Sequence, residues 1–304
     1  MSAINPTTQA AWPILEPAED AILDQEANPI DALAAGAVSA IILRGALPSD
    51  ECESLIRFFI DQGLMFDSAD PNIDRHAITE LRANRWTQPG VNTAESGRRR
   101  IDIGTSLGNY GDDREDFLAR SAETHRLFKR LFAERIDPIE LLYHKLRRMS
   151  PGRRVMTARE PDGRAYGPAI FRIHYGGYTY GPHFDSVRQR ECRTEYEVFR
   201  FGRQLAGVLC LQNATLGAVS AQSIIHRQFW TPEVDPFLKS GGFHTYAAEQ
   251  GVQSQRIELS PGDLYFFNTG LIHEVPGVAG DHPRVVLATF IGYSSDDEEM
   301  MVWS

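Results

Sequence analysis

Downstream of Ala169 the chain is cut into short runs of β-branched and aromatic residues closed by glycine or proline, and this punctuation constrains the fold more than any other feature. Ala169-Ile-Phe-Arg-Ile-His-Tyr175 stops at Gly176-Gly177, and the apolar stretch after Asp263 sits between a Pro261-Gly262 turn and an Asn268-Thr-Gly270 turn. Val285-Val-Leu-Ala-Thr-Phe-Ile291 is an almost unbroken apolar run, which suits a strand buried on both faces. Runs of this length and composition between turn signals read as strands. The C-terminal half is therefore expected to hold a β core.

The N-terminal half reads differently. Residues 1–35 read as a Pro- and Ala-containing arm, expected to drape over the body or to be partly mobile. Ala37-Val-Ser-Ala-Ile-Ile-Leu-Arg-Gly45 is strand-like, and a helix opens near Pro48 behind a Ser/Asp cap with acids in its first turn. Residues 116–148 carry apolar side chains at largely helical spacing, with a break expected near Pro138. Residues 66–115 have no sustained period and read as loops suited to substrate contacts. The expectation is an α+β fold with a mainly β core. It divides into the arm (1–35), a helical and strand region packing on the core (36–165) and a catalytic core (166–304).

Chemistry concentrates in His174-Tyr-Gly-Gly-Tyr-Thr-Tyr-Gly-Pro-His183-Phe-Asp185. Nine histidines give about 0.6 His-x-Asp triplets by chance, so the triplet alone proves little. Context carries it. Residues two apart on a strand face the same side, so His183 and Asp185 can face one metal ion, and His273 offers a third ligand from a later strand. Two histidines and a carboxylate on one face leave three open positions, the arrangement of non-haem iron(II) centres. Arg284 stands at the mouth of the last apolar run. A guanidinium grips a carboxylate with two parallel hydrogen bonds, and one buried without an anion is costly, so this position asks for an acidic ligand.

These residues resemble the iron(II)- and 2-oxoglutarate-dependent oxygenases, over roughly residues 166–293. His174 to Asp185 is similar to the prolyl-hydroxylase-like stretch Tyr-x-Pro-Gly-x-x-Tyr-x-x-His-x-Asp, and Arg284 follows His273 at the spacing usual in that superfamily. The resemblance implies a double-stranded β-helix (jelly roll, cupin-like) core buttressed by N-terminal helices. It implies iron(II) held by His183, Asp185 and His273, with 2-oxoglutarate anchored by Arg284. O2 would be the oxidant, ascorbate the reductant in assays, and succinate and CO2 the products of the co-substrate. His174 and Cys210 stand where many relatives place tyrosines that contact the co-substrate. Asp185 is retained where halogenating relatives carry glycine or alanine. The expected reaction is accordingly hydroxylation, or desaturation, of an unactivated C–H bond in a small molecule such as an amino-acid derivative or natural-product intermediate.

Trp86, Arg188, Arg227 and Trp230, in or beside loops near the expected mouth, are candidate substrate contacts. A net charge of −10 argues against a nucleic-acid partner. Three cysteines without a CxxC pair fit a reducing, cytoplasmic setting, and no apolar segment long enough for a membrane span is present. An oxygenase acting on a protein side chain or nucleobase, and a non-oxidative cupin-like metal enzyme, are the competing readings. His76, His125, His144, His226, His244 and His282 fall in no pattern that assigns them a partner.

Overall fold

The computed structural model describes residues 12–17, 28–66, 91–93, 100–110, 113–280 and 282–304. Its strands are β1 (Ile14–Leu15), β2 (Ala40–Leu43), β3 (Val91–Thr93), β4 (Arg100–Ile103), β5 (Arg154–Thr157), β6 (Ile170–His174), β7 (Tyr180–His183), β8 (Arg203–Gln212), β9 (Thr215–Leu216), β10 (Val219–Ser220), β11 (Ser223–Phe229), β12 (Ser254–Ile257), β13 (Leu264–Asn268), β14 (Leu271–Val275), β15 (Arg284–Tyr293) and β16 (Glu299–Trp303). The helices are α1 (Pro29–Ala34), α2 (Ser49–Asp61), α3 (Arg114–Leu131), α4 (Pro138–Met149), α5 (Asp235–Ser240) and α6 (Phe243–Glu249).

A ten-stranded sheet follows the path β1-β2-β13-β8-β15-β6-β4-β3, with β16 and β5 joined to the far end of β15. A four-stranded sheet, β12-β11-β14-β7, lies opposite. This is the expected α+β architecture with a dominant β core of double-stranded β-helix type. The unbroken apolar runs follow from burial on both faces of the large sheet. On β15, Val285, Leu287 and Ile291 join the core beneath the helices, whereas Val286, Ala288 and Phe290 belong to the cluster between the sheets. β6 alternates likewise, with Phe171 and Ile173 toward the helices and Ile170, Arg172 and His174 toward the interior cavity.

The helices brace the outer face of the large sheet. Asp137 caps α4 by accepting from the Ile139 and Glu140 amides, Pro138 occupies its first turn, and Arg147 and Arg148 sit in its last turn. Asp113 caps α3 through the Asp116 amide. The break foreseen near Pro138 is thus the gap between two separately capped helices. At α2 the expected Ser/Asp cap is absent: Pro48 precedes the helix, and no side chain caps it. Burial anchors α2 instead, through Cys52, Leu55, Ile56 and Phe59. A buried side chain of the size of Leu or Phe contributes about 1.5–3 kcal/mol. Phe59 and Phe128 both meet the Phe171 ring edge to face, at centroid distances of 5.0 and 5.7 Å.

Gly262 shows why the Pro-Gly turn before β13 is obligatory. Its φ is +95°, and a Cβ there would overlap the Leu47 carbonyl. Two regions depart from expectation. β4 lies in the stretch read as loop and pairs antiparallel with β6. Helices α5 and α6 interrupt the core between β11 and β12, covering the outer face of the small sheet through Val234, Phe243 and Ala247 packed on Phe184 and Ile272.

Candidate metal centre

His183 is the last residue of β7 and His273 the middle residue of β14, and the two are direct partners across the antiparallel pair. Their ring centroids are 4.2 Å apart. Asp185 lies just beyond the strand, pinned by the β13–β14 turn. Its amide donates to the Thr269 carbonyl at 2.9 Å, and the Thr269 hydroxyl donates to its carbonyl at 2.9 Å. Asp185 Oδ2 stands 3.8 Å from His183 Nε2 and 3.5 Å from His273 Nε2, and one ligand atom from each residue falls within 4.8 Å of the others.

The atoms turned away from this point are already bonded. His183 Nδ1 lies 2.8 Å from the Gly181 carbonyl and His273 Nδ1 2.9 Å from the Leu271 carbonyl, contacts that require the proton on Nδ1 and leave the Nε2 lone pair free. Arg190 donates to Asp185 Oδ1 at 2.8 Å and to the Phe184 carbonyl at 2.7 Å, so Oδ2 is the oxygen facing the imidazoles. Burial, with the neighbouring His273, pushes His183 down to about 4, which keeps the ring in its neutral, ligating form. Burial works against the Asp185 charge, but the adjacent His273, His183 and Arg190 outweigh it and hold the carboxyl well below its usual range. Donor set, tautomers and protonation all fit a divalent metal ion.

The three residues line an open cavity that runs inward between the sheets. At the first position of β15, Arg284 is 7% exposed and lines it too, without a hydrogen bond or ion pair to any described residue. Nearby, the Tyr265 and Ser223 hydroxyls are 2.8 Å apart. His174 pairs in register with both Arg284 and Arg100. Its Nε2 is 3.1 Å from the Tyr180 hydroxyl, which also accepts from Arg100 at 3.0 Å. Since Arg100 can only donate, that hydroxyl keeps its own proton to give to His174. Burial and the charges of Arg284, Arg172 and Arg100 hold His174 far below its ordinary value, as a neutral ring.

Residues 19–304 match the protein family described as carrier-protein-independent halogenase WelO5. The chain belongs to the WelO5 halogenase family. No curated protein matches it. Among solved structures it is similar to an N-substituted L-amino acid dioxygenase from Burkholderia ambifaria AMMD, at 16% identity and a TM-score of 0.54, over 91% of this chain and 90% of that one. The same dioxygenase in complex with α-ketoglutarate gives 16% identity and a TM-score of 0.51 over the same shares. At that identity the likeness establishes the fold alone.

Membership in the WelO5 family corrects the expectation that this chain is a hydroxylase. That expectation rested on Asp185, and a match across nearly the whole chain to a family named for a halogenase overturns it. A carboxylate at this position is therefore not by itself the signature of a hydroxylase.

The remaining candidates are scattered. Cys210 is 1% exposed, absent from the cavity wall, and its thiol is pushed up to about 12 by burial; it packs between the sheets. Trp230 stacks on Phe184 at 4.9 Å and donates to Asp235, behind the His183–Asp185 segment. Arg188 lines a neighbouring cleft that reaches Asp185. Arg227 points elsewhere, to Gln253 at 2.9 Å and over the Trp12 ring, and does not line the cavity. Trp86 lies outside the described residues. Sequence reading missed Tyr265, Ser223, Tyr180 and Arg172, which all line the cavity. For Arg172 and Tyr265 the signal was available as strand alternation, counted from His174 and from the apolar run after Asp263. Among the described residues no helix is long and apolar enough to cross a membrane.

Proposed function

We propose that this chain is an iron(II)- and 2-oxoglutarate-dependent enzyme that functionalises a C–H bond of a free small molecule, without a carrier protein. The observation that carries this reading is the convergence of His183, Asp185 and His273 at the wall of a cavity that also holds Arg284, whose guanidinium has no partner among the described residues. In it, His183 Nε2, His273 Nε2 and one Asp185 oxygen hold the iron, and Arg284 grips the distal carboxylate of 2-oxoglutarate. Tyr265 and Ser223 add hydroxyls at that end. Iron with 2-oxoglutarate and O2 supplies the oxidising power for C–H cleavage, while the co-substrate leaves as succinate and CO2. The chain's own part is to orient both molecules and to keep water from the reacting carbon, which the apolar wall of Val208, Phe267, Val286 and Phe290 favours.

The family description supports a free rather than a carrier-bound substrate. It also directs the test to halide. Purified protein with iron(II), 2-oxoglutarate, ascorbate and chloride or bromide is assayed for succinate across a substrate panel, and the products are weighed for halogen isotope patterns. Succinate formation that depends on iron and on a panel member supports the reading, and a halogenated product assigns the transferred group. Failure to bind metal, together with no succinate from any substrate, overturns it.

A further inference from the structure

Two arginines face the cavity, and a single co-substrate satisfies only one of them. Besides Arg284, Arg172 projects inward from the middle of β6, two residues before His174 and opposite Val286. Among the described residues its Nε, shut off from solvent, finds no acceptor, and the one side-chain hydrogen bond of Arg172 is a long contact of 3.5 Å to the Ser106 hydroxyl. The nearest candidate counter-charge is Asp102, its cross-strand neighbour on β4, but that carboxylate is bonded to Arg100 at 2.8 Å. Arg172 thus has no ion-pair partner among the described residues.

On the functional reading above, 2-oxoglutarate is shared between the iron and Arg284, and Asp185 between the iron and Arg190. Arg100 and Arg172 flank the single carboxylate of Asp102, which pairs with Arg100, so no carboxylate among the described residues is left for Arg172. An uncompensated guanidinium in a partly closed cavity is costly, and a bidentate anion is the ligand that relieves it. Ile170 and Phe290 line the same cavity and add apolar surface.

We infer that Arg172 anchors a substrate subsite, and that the molecule entering this cavity carries a carboxylate or other single anionic group attached to an apolar body. The inference rests on the iron and 2-oxoglutarate reading and is tested by binding. Protein loaded with nickel(II), a redox-inert stand-in, and 2-oxoglutarate is titrated calorimetrically with 3-phenylpropionate and with its neutral amide. The acid should bind roughly tenfold or more tightly than the amide. Arg172→Gln should erase that preference, Arg172→Lys should keep part of it, and 2-oxoglutarate affinity should hold in both.

Equal responses to acid and amide, including no response to either, would overturn the inference. So would an Arg172→Gln loss of 2-oxoglutarate affinity as large as that of Arg284→Gln, which would assign Arg172 to the co-substrate. Wild-type protein that binds neither nickel nor 2-oxoglutarate would remove the underlying reading as well, a result distinct from normal 2-oxoglutarate binding with no acid preference.

Discussion

The two ends of the cavity are built by opposite means. At the outer end, His183, Asp185 and His273 sit on short strands and a turn of the small sheet, and every polar atom facing away from their meeting point has a partner. At the inner end, Arg284 sits on a long strand of the large sheet, and its side-chain donors find no acceptor among the described residues. The outer end fixes orientation before a metal arrives. The inner end instead stores unsatisfied donors, so it is the ligand that completes the structure there. A pre-satisfied site loses its function when one member is removed, whereas an unsatisfied one loses affinity while the empty fold tolerates the change.

The largest effects should separate these two behaviours. His183→Ala or Asp185→Ala should abolish metal binding, read by metal analysis of purified protein, with the melting transition of the metal-free chain retained. Metal bound as in the wild type in either variant would break the assignment. Arg284→Gln should leave metal content unchanged and weaken 2-oxoglutarate binding by about 2–5 kcal/mol, the usual loss when one member of a buried charged pair is removed. The metal-free Arg284→Gln protein should be no less stable than wild type, because an unpaired buried charge is removed. A lower melting temperature would show that Arg284 already has a structural partner.

The outer end was the more legible in sequence, and the reason is physical. His183 and Asp185 are two residues apart on one local segment, and the turn signals around Asn268-Thr-Gly270 announce the strand that delivers His273. The inner end depends on register between strands distant in sequence. Arg284, His174 and Arg100 form one row across β15, β6 and β4, and nothing in the sequence near Arg100 reveals that pairing. The α5–α6 insertion was illegible for another reason: two helices of six and seven residues are too short to establish a period. The reaction outcome was misjudged because one residue, Asp185, was weighed above the rest of the chain.

A smaller effect should come from behind the metal-bearing strand. Glu274 follows His273 and is 6% exposed. It accepts from His226 at 2.9 Å and faces His244 of α6 at 3.3 Å, which ties the insertion to β14. Glu274→Leu should cost about 1–3 kcal/mol in chemical denaturation, since both a charge-assisted bond and its buried partner are left unmet. Unchanged stability would show that the apolar contacts of Phe184, Phe243 and Ile272 suffice to hold the insertion, and that the outer end does not depend on its bracing.

The smallest effect concerns pH, and it distinguishes the two ends by a neutral histidine at each. His183 and His174 are both held below the ordinary value of 6.5, mainly by burial, His183 at about 4. Between the folded and unfolded values the unfolded chain binds protons that the folded chain refuses, so metal-free stability is highest above 6.5 and falls as pH drops through the window below it. From pH 7 to pH 6 each ring should cost under about 1 kcal/mol, visible as a lower urea midpoint in chelator. His174→Gln and His183→Gln should each flatten the slope. Added nickel should keep the His183 share or enlarge it, because a metal-bound Nε2 still refuses the proton that the unfolded chain takes up, while the His174 share is unchanged. Slopes that are equal in wild type and both variants would show that neither ring is the source. A His174→Gln change in slope that differs with and without nickel would place His174 under the control of the metal end, and the two ends would then act as one coupled site.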